Sequence, residues 1–272
     1  MDSKIATALT LKHNPVAVIR ADEKPEKALQ FKKGKWGCVM FMFANAAKGK
    51  TAAFDADSYG CWGGGVGLGF GNAYLDFPGG VDCFSHFLSS GNKEWEKGRQ
   101  VAKGVEQAAG KKFAENFLTG ERYVKNPELV KQWVDELPIT QPETRYVLFK
   151  PLADTDPDQK TPASVVFVAD ADQISALVIL ANYARQGMEN VIIPWAAGCQ
   201  TIGLLPFREA ASENPRAVVG LTDISARQYV RKLLGAAYLS FAIPWKMFLE
   251  MEKNVEGSFL EKNPWLSLLE AK

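Results

Sequence analysis

The four cysteines are the residues best able to do chemistry in this 272-residue chain. Cys38, Cys61, Cys83 and Cys199 form no CxxC pair, so the spacings of zinc ribbons, thioredoxin-like motifs and ferredoxins are absent. Thiolates from dispersed segments can still hold an iron–sulfur cluster, because tertiary structure brings them together. We therefore predict a metal–thiolate site in which Cys61 and Cys199 are the principal ligands. The alternative is that the cysteines are buried apolar side chains, which suits Cys38 within GCVMFMF.

The residues around each cysteine predict different environments for the four thiols. Cys61 and Cys199 each follow a glycine in a segment that reads as a loop at the carboxyl end of a strand, where open α/β sheets bind ligands. Cys83 lies near the start of an apolar helix, where the helix dipole favours a thiolate. His86, one turn later, could act as its base, although an incidental neighbour is the simpler interpretation. The sequence leaves open whether the protein is an enzyme.

Glycines are concentrated in residues 60–80, which hold nine of the 23 in the chain. This density predicts a specialised loop whose backbone closely approaches another segment or a ligand. Neither a dinucleotide fingerprint nor a P-loop fits the run. The candidate ligand-binding residues are Gly63, Gly64 and Gly65 in this run, with Gln200, Thr201, Arg208 and Arg227 in the second half.

Simpler structural roles compete with ligand binding in the second half. Gln200, Thr201 and Arg208 could belong to a capped turn and a surface ion pair. Asp223 or Ser225 is predicted to cap a helix. Arg227 in the first turn of that helix opposes the macrodipole, which indicates a carboxylate or an anionic ligand as its partner.

Strand-like apolar runs alternate with helical segments and indicate an α/β fold, with a mixed α+β fold as the alternative. A buried helix is predicted for residues 36–47 and a strand for 191–193, with a Gly/Cys loop at 197–203. A long, mostly polar helical stretch is predicted for residues 93–118, interrupted by glycines.

An internal duplication is suggested by two matches. Residues 16–22 can be aligned with 165–170, and residues 43–49 with 180–187. We expect a single domain over residues 1–272 with β-α-β half-repeats at 14–80 and 145–254, packed about a pseudo-two-fold axis, and a helical insertion at 81–140. Gly60-Cys61 and Gly198-Cys199 would then occupy equivalent loops. The alternative is that strand–helix–strand units resemble one another without any duplication.

The balance of charged residues limits the classes of partner that the protein is expected to bind. The chain has 32 Lys+Arg against 31 Asp+Glu, so neither nucleic acid nor a membrane surface is expected as a partner. The first residues lack the pattern of a secretory signal, and a cytoplasmic location is expected. The expected partner is a small molecule or a metal cluster. A homo-oligomer contact through the aromatic, Gly-rich segment is a further alternative.

The residue pattern resembles a known family. The chain contains Pro15-Val16-Ala17-Val18, Cys38, Gly60-Cys61 with Gly63-Gly64-Gly65 and Leu68-Gly69, Lys150-Pro151-Leu152, Cys199 and Ile243-Pro244. This pattern resembles the domain of unknown function 169 family of archaea and anaerobic bacteria. The resemblance implies an anaerobic cytoplasm, which suits an oxygen-sensitive cluster, and it brings no activity. Relatives carry a further Gly-Cys near Gly220, where this chain has Leu221, and Cys83 is an addition. A metal centre in the family would therefore imply an exchanged ligand here.

Two functional hypotheses follow. The first is a cytoplasmic iron–sulfur protein with a redox, sulfur-handling or sensing role, its ligands drawn from Cys38, Cys61, Cys83 and Cys199. The second is a metal-free small-molecule binding protein or enzyme, with its ligand between the half-repeats at the Gly-rich segment.

Overall fold

The chain folds into two compact units. The computed structural model describes residues 1–141 and 143–270. One unit, called here the sheet unit, comprises Met1–Phe70 and Thr140–Lys272, and the other, the helical unit, comprises Gly71–Ile139. Gly69 and Thr140 lie side by side, since a Cβ atom added at Gly69 would be 2.9 Å from Thr140 Oγ1. The helical unit is thus an insertion whose two ends leave the sheet unit at neighbouring points.

A seven-stranded sheet forms the centre of the sheet unit, in the order β2-β3-β1-β4-β7-β6-β5. The strands are β1 (Val16–Ala21), β2 (Ala52–Phe54), β3 (Tyr146–Pro151), β4 (Ser164–Ala169), β5 (Val191–Ile192), β6 (Ala217–Gly220) and β7 (Leu239–Pro244). Only β5 and β6 pair in parallel, and the other neighbours are antiparallel. The mixed α/β character is confirmed. Adjacent antiparallel strands end at opposite edges, so the ligand-binding edge expected of an open parallel sheet is absent here.

The helices, numbered along both units, are α1 (Lys4–Ala8), α2 (Val39–Ala46), α3 (Trp62–Gly67), α4 (Gly80–Leu88), α5 (Glu96–Ala109), α6 (Lys111–Thr119), α7 (Pro127–Asp135), α8 (Ala171–Asn182), α9 (Gly198–Ile202), α10 (Leu204–Ala210), α11 (Ile224–Leu234), α12 (Trp245–Lys253) and α13 (Asn263–Glu270). None of those described is long and apolar enough to cross a membrane.

Strand side chains alternate between two buried layers, as the two-residue period of a strand requires. In β1, Val16 and Val18 join the layer that contains α2, α9, α10 and α11. Ala17 and Ile19 join the opposite layer, formed with α1, α8, α12 and α13. The sheet is therefore covered on both faces, which explains why its strands read as continuous apolar runs rather than as alternating ones.

Helices α4 to α7 build the helical unit around aromatic side chains. The rings of Tyr74 and Phe84 stack with centroids 4.0 Å apart, and Phe77 contacts Phe84, Phe87 and Phe117. Asn92 is fully buried and donates to the carbonyl oxygens of Cys83 and Phe117, which ties α4 to α6. This unit has its own core.

Several predicted element boundaries are wrong. The buried helix expected at 36–47 begins only at Val39. The polar stretch is interrupted by glycine as expected, at Gly110 with a φ of +85°, but Gly98 and Gly104 lie within α5 and do not break it. Part of the predicted Gly-rich loop is helix α3, and the predicted loop at 197–203 contains helix α9. Glycine disfavours a helix in isolation, so tertiary packing stabilises α3.

Candidate functional site

Three of the four cysteines lie at the beginnings of helices in the sheet unit. Cys38 is the N-cap of α2, Cys61 is the N-cap of α3, and Cys199 is the second residue of α9. Helix α9 packs against both α2 and α3. We call Cys38, Cys61 and Cys199 the thiol triad.

Glycines of α3 allow these segments to approach closely. A Cβ atom added at Gly67 would lie 2.8 Å from Cys199 Sγ, and one added at Gly64 would lie 2.7 Å from a methyl carbon of Val39, the neighbour of Cys38. The Cys199 thiol donates a hydrogen bond to the Gly63 carbonyl oxygen at 3.0 Å. The Gly-rich segment therefore serves close packing around the triad.

The backbone of α3 also contacts the second thiol of the triad. The Gly64 N–H donates to Cys61 Sγ at 3.3 Å. An N–H directed at sulfur favours the thiolate over the thiol and is one of the contacts that tune metal-bound sulfur.

Burial keeps the triad protonated at neutral pH in the absence of a cation. Burial, followed by the charge of Cys38, raises the pKa of Cys61 to about 12. Burial raises the pKa of Cys199 well above its ordinary value, with added contributions from Cys61 and Cys38, and burial also raises the pKa of Cys38. By exposed surface, Cys199 is buried, whereas Cys38 and Cys61 are partly buried. A free nucleophilic cysteine requires the opposite shift.

A carboxylate lies beside the triad. Asp223 is the N-cap of α11, as predicted, and accepts from the Ser225 and Ala226 backbone N–H groups through Oδ1. Its Oδ2 accepts from the N–H of Gly198, the residue before Cys199, at 3.3 Å. The negative charge of Asp223 contributes to the raised pKa of all three thiols. Asp223, Cys38 and Cys61 are each the N-cap of a different helix, but the sequence alone indicated no role for Asp223 beyond capping.

Cys83 belongs to the helical unit and is fully buried in α4. A Cβ atom at Gly79 would lie 2.2 Å from its Sγ, so the thiol packs directly on that backbone. Burial raises the pKa of Cys83 although Lys97 lowers it, so the thiolate expected from the helix dipole is not favoured. His86 stacks on Trp95, with ring centroids 4.6 Å apart.

The polar ligand candidates of the second half have partners within the protein. Gln200 accepts from the Ala197 N–H, and Thr201 donates to the Gly198 carbonyl, so both hold the first turn of α9. Arg208 pairs with Glu209. Arg227 donates to three carbonyl oxygens, those of Leu221, Ala236 and Tyr238, where the sequence suggested a carboxylate or an anionic ligand.

The side chains are not arranged around a single metal ion. Within residues 1–141 and 143–270, no group of three or more His, Cys, Asp or Glu side chains has an arrangement that could hold one. Three thiols bound to one ion would lie about 3.8 Å apart, because metal–sulfur bonds are about 2.3 Å long and the geometry is tetrahedral.

Comparison with known proteins identifies a family. No curated protein and no solved structure matches the chain. A sequence profile of domain of unknown function 169, described as an uncharacterised ArCR family, matches residues 4–254. This range includes the whole thiol triad and Asp223, together with nearly all of both units. The chain therefore belongs to the domain of unknown function 169 family.

Proposed function

We propose that the thiol triad binds an iron–sulfur cluster and that the protein has a redox, sulfur-handling or sensing role. The observation that carries this proposal is the convergence of Cys38, Cys61 and Cys199 from three separate segments of the sheet unit. The competing explanation is apolar packing, because Cys199 belongs to a buried core cluster and Cys38 packs against it. Thiolates are the ordinary ligands of iron–sulfur clusters.

The proposal is a cluster and not a single ion, because within residues 1–141 and 143–270 no group of three or more His, Cys, Asp or Glu side chains is arranged to hold one ion. A cluster binds its thiolates on different irons at its periphery, so the ligand sulfurs lie farther apart than around one ion. On metal binding the Cys199 sulfur loses its proton and can no longer donate to the Gly63 carbonyl, so we expect this side chain to turn towards the cluster.

Charge balance supports the same conclusion. Deprotonating one buried and two partly buried thiols is unfavourable unless a cation compensates them, and the iron of a cluster would supply that positive charge. The start of α2 at Cys38 and the Gly64 N–H at Cys61 provide partial positive charge on the protein side. Binding of the cluster would thereby offset the unfavourable ionisation that raises the pKa values of the thiols.

The half-repeat hypothesis also belongs to this proposal, in a modified form. The sheet order reads symmetrically about the β1–β4 pair, with β3 and β2 on one side and β7 and β6 on the other. If α2 corresponds to α9 and α3 corresponds to α11, the two-fold axis makes the α2–α11 contact equivalent to the α9–α3 contact. Both contacts are present. A pseudo-two-fold axis between β1 and β4 would then relate Cys61 to Asp223, whereas the sequence matches pair Cys61 with Cys199.

A metal-free ligand site has less support. The residues expected to contact such a ligand, among them Gln200, Thr201 and Arg227, hydrogen-bond within the protein and hold its framework.

The proposal can be tested by reconstitution. The protein is incubated anaerobically with Fe²⁺ and sulfide, desalted, and examined for sulfur-to-iron charge-transfer absorption in the visible region. We expect wild type to gain this absorption, and Cys61→Ser and Cys199→Ser to lose most of it. Cys83→Ala is the matched control, because Cys83 lies in the helical unit, and it should retain the absorption. Equal absorption in wild type and in both serine variants would refute the triad as ligands.

A further inference from the structure

We propose that a basic and aromatic surface of the sheet unit binds a small acidic protein that carries one electron. This inference rests on the proposed function, because it names the class of partner with which a cluster at the thiol triad would exchange electrons. The surface, called here the docking surface, is formed by residues 31–50, which include α2, and residues 224–238, which include α11.

The two segments of the docking surface lie side by side. Helix α2 packs on α11, and a Cβ atom added at Gly198 would lie 2.9 Å from Met40 of α2 and 3.1 Å from Ala226 of α11. At the surface, the rings of Trp36 and Tyr229 have centroids 5.6 Å apart. The segments therefore meet both in the core and at the surface.

The docking surface is strongly basic. Its two segments contain eight Lys and Arg residues and no Asp or Glu, although the net charge of the whole chain is only +1. Seven of these eight are exposed: Lys32, Lys33, Lys35, Lys48, Lys50, Arg231 and Lys232. Lys33 pairs with Asp57, an exposed residue outside the two segments. This charge is complementary to an acidic protein, and it would repel the same surface of a second copy of the chain.

Exposed apolar side chains lie among these cations. Trp36 is 54% exposed, Phe41 45%, Tyr229 46% and Ile224, at the first turn of α11, 58%. Protein interfaces have aromatic side chains at their centre and a polar rim, and Trp and Tyr carry much of the binding energy. Single-stranded nucleic acid would use the cations and the rings but not the aliphatic side chain of Ile224. An acidic protein therefore fits the surface better.

The loop that carries three of the lysines has a defined shape. The Lys35 N–H donates to the Lys32 carbonyl at 2.9 Å and closes a turn, and the Gly34 N–H donates to the Asp57 carbonyl at 3.2 Å. A loop that is ordered before binding loses little conformational entropy when a partner binds. The turn thus presents its lysines in advance of the complex.

The docking surface includes one member of the thiol triad. Cys38 is partly buried, is the N-cap of α2 and lies two residues after Trp36. Electron transfer requires two redox centres to lie close together, so a carrier must bind near the cluster. A carrier bound over Trp36 would lie beside the segment that supplies Cys38. In the exchange the reduced carrier loses one electron and the oxidised cluster gains it, and no atom is transferred.

The test uses a purified bacterial ferredoxin of strongly negative net charge as the probe. Its binding to the 272-residue protein, before and after reconstitution, is measured by calorimetry at low and at raised ionic strength. Lys35→Glu/Lys232→Glu reverses two charges of the docking surface, and Trp36→Ala removes part of its apolar centre. Lys246→Glu/Lys253→Glu is the matched control, because both lysines are exposed on α12, in the opposite layer.

Wild type and the control should bind ferredoxin with a dissociation constant on the order of 1–10 μM at low salt, because electron-transfer complexes are small and weak. Raising the ionic strength to about 0.2 M should weaken this binding about tenfold, since the attraction is between surface charges. Lys35→Glu/Lys232→Glu and Trp36→Ala should each bind about tenfold more weakly than wild type or worse.

The inference is overturned if wild type does not bind ferredoxin, or if Lys35→Glu/Lys232→Glu binds it as the control does. A single-stranded oligonucleotide and phosphatidylglycerol vesicles are titrated in the same way, and preferential binding of either would assign the surface to another class of partner and also overturn the inference. These outcomes leave iron and sulfide uptake, and so the proposed function, standing. Salt-sensitive ferredoxin binding by a protein that takes up no iron and sulfide would instead support the docking surface and refute the proposed function.

Discussion

At the scale of single residues, Gly67 determines how closely two cysteine-bearing segments approach. An added Cβ atom would lie 2.8 Å from both the backbone carbonyl carbon and the sulfur of Cys199. The backbone cannot move aside as the end of a flexible side chain can. The glycines of α3 are thus required by packing, and no ligand is needed to explain them.

We predict that Gly67→Ala lowers the free energy of unfolding by about 1–3 kcal/mol, because overpacking displaces α9. Cluster uptake should fall as well, since Cys199 moves with α9. Denaturant titration and iron analysis measure the two effects.

Gly104→Ala is the matched substitution. Gly104 lies within α5 with no atom near its added Cβ, so alanine should stabilise its helix by up to about 1 kcal/mol. Equal stability and iron uptake in Gly67→Ala and wild type would contradict the packing argument.

Residue types in the sequence indicate part of the candidate site. The glycines before Cys61 and Cys199 single out these two cysteines, which lie at the starts of α3 and α9, two helices that pack together. Asp223 could not be assigned in the same way, because an aspartate before a helix is explained by capping alone. Its position beside the thiols depends on how α9 and α11 pack, which is a long-range property.

At the scale of elements, Glu209 joins α10 to the start of β6. The residue is 3% exposed, and its carboxylate accepts hydrogen bonds from the side chains of Arg208 and Arg216 and from the Arg216 backbone N–H. Burial alone would raise its pKa, but the hydrogen bonds of Arg216 and Arg208 outweigh burial and lower it. The ionised carboxylate therefore stabilises the folded state.

Glu209→Gln should lower the free energy of unfolding at pH 7 by about 1.5–3 kcal/mol, the range for hydrogen bonds to charged groups. The folded-state pKa is below the unfolded-state value of about 4.3. The stabilisation is thus complete above about pH 4.3 and is lost as the pH falls through the folded-state pKa. Denaturation curves of wild type and variant should therefore differ at pH 7 and converge in acid.

Glu256→Gln is the control for this prediction. Glu256 pairs with Lys4 at the surface, where both side chains are exposed, so its loss should have little effect. A difference between Glu209→Gln and wild type that is constant with pH would contradict the ionic origin of the effect.

Strands marked by apolar runs are predicted better than short helices. The strands at Val16, Val165 and Ala217 are where the apolar runs indicate. Helices α3 and α9 are predicted as loops, because four of the six residues of α3 are glycine and α9 has only five residues. Such helices form through packing against neighbours, and that information is not local in the sequence.

At the scale of the whole molecule, the chain consists of a sheet unit and an inserted helical unit with separate cores. The thiol triad and Asp223 all belong to the sheet unit, whereas Cys83 belongs to the helical unit. The strand order could not be predicted from the sequence. In the sheet, β3 lies between β1 and β2, although in the chain it follows both strands and the whole helical unit. Long-range pairing of this kind leaves no local signal.

We predict that the helical unit can be replaced without loss of the cluster. Gly69 and Thr140 are adjacent, so a short Gly/Ser linker in place of residues 71–139 can join them. Circular dichroism should show a cooperatively folded protein, and reconstitution should give the same iron per chain as wild type. A folded deletion variant that takes up no iron would contradict the assignment of all protein ligands to the sheet unit.

The most direct test of the central claim is the iron and acid-labile sulfide content of anaerobically purified protein, measured per chain. The thiol triad predicts both elements in equal amounts, about four of each for a full cluster, and their joint loss when Cys38, Cys61 and Cys199 are all replaced by serine. Iron without sulfide, or equal contents in wild type and a folded triple variant, would contradict an iron–sulfur cluster at the triad.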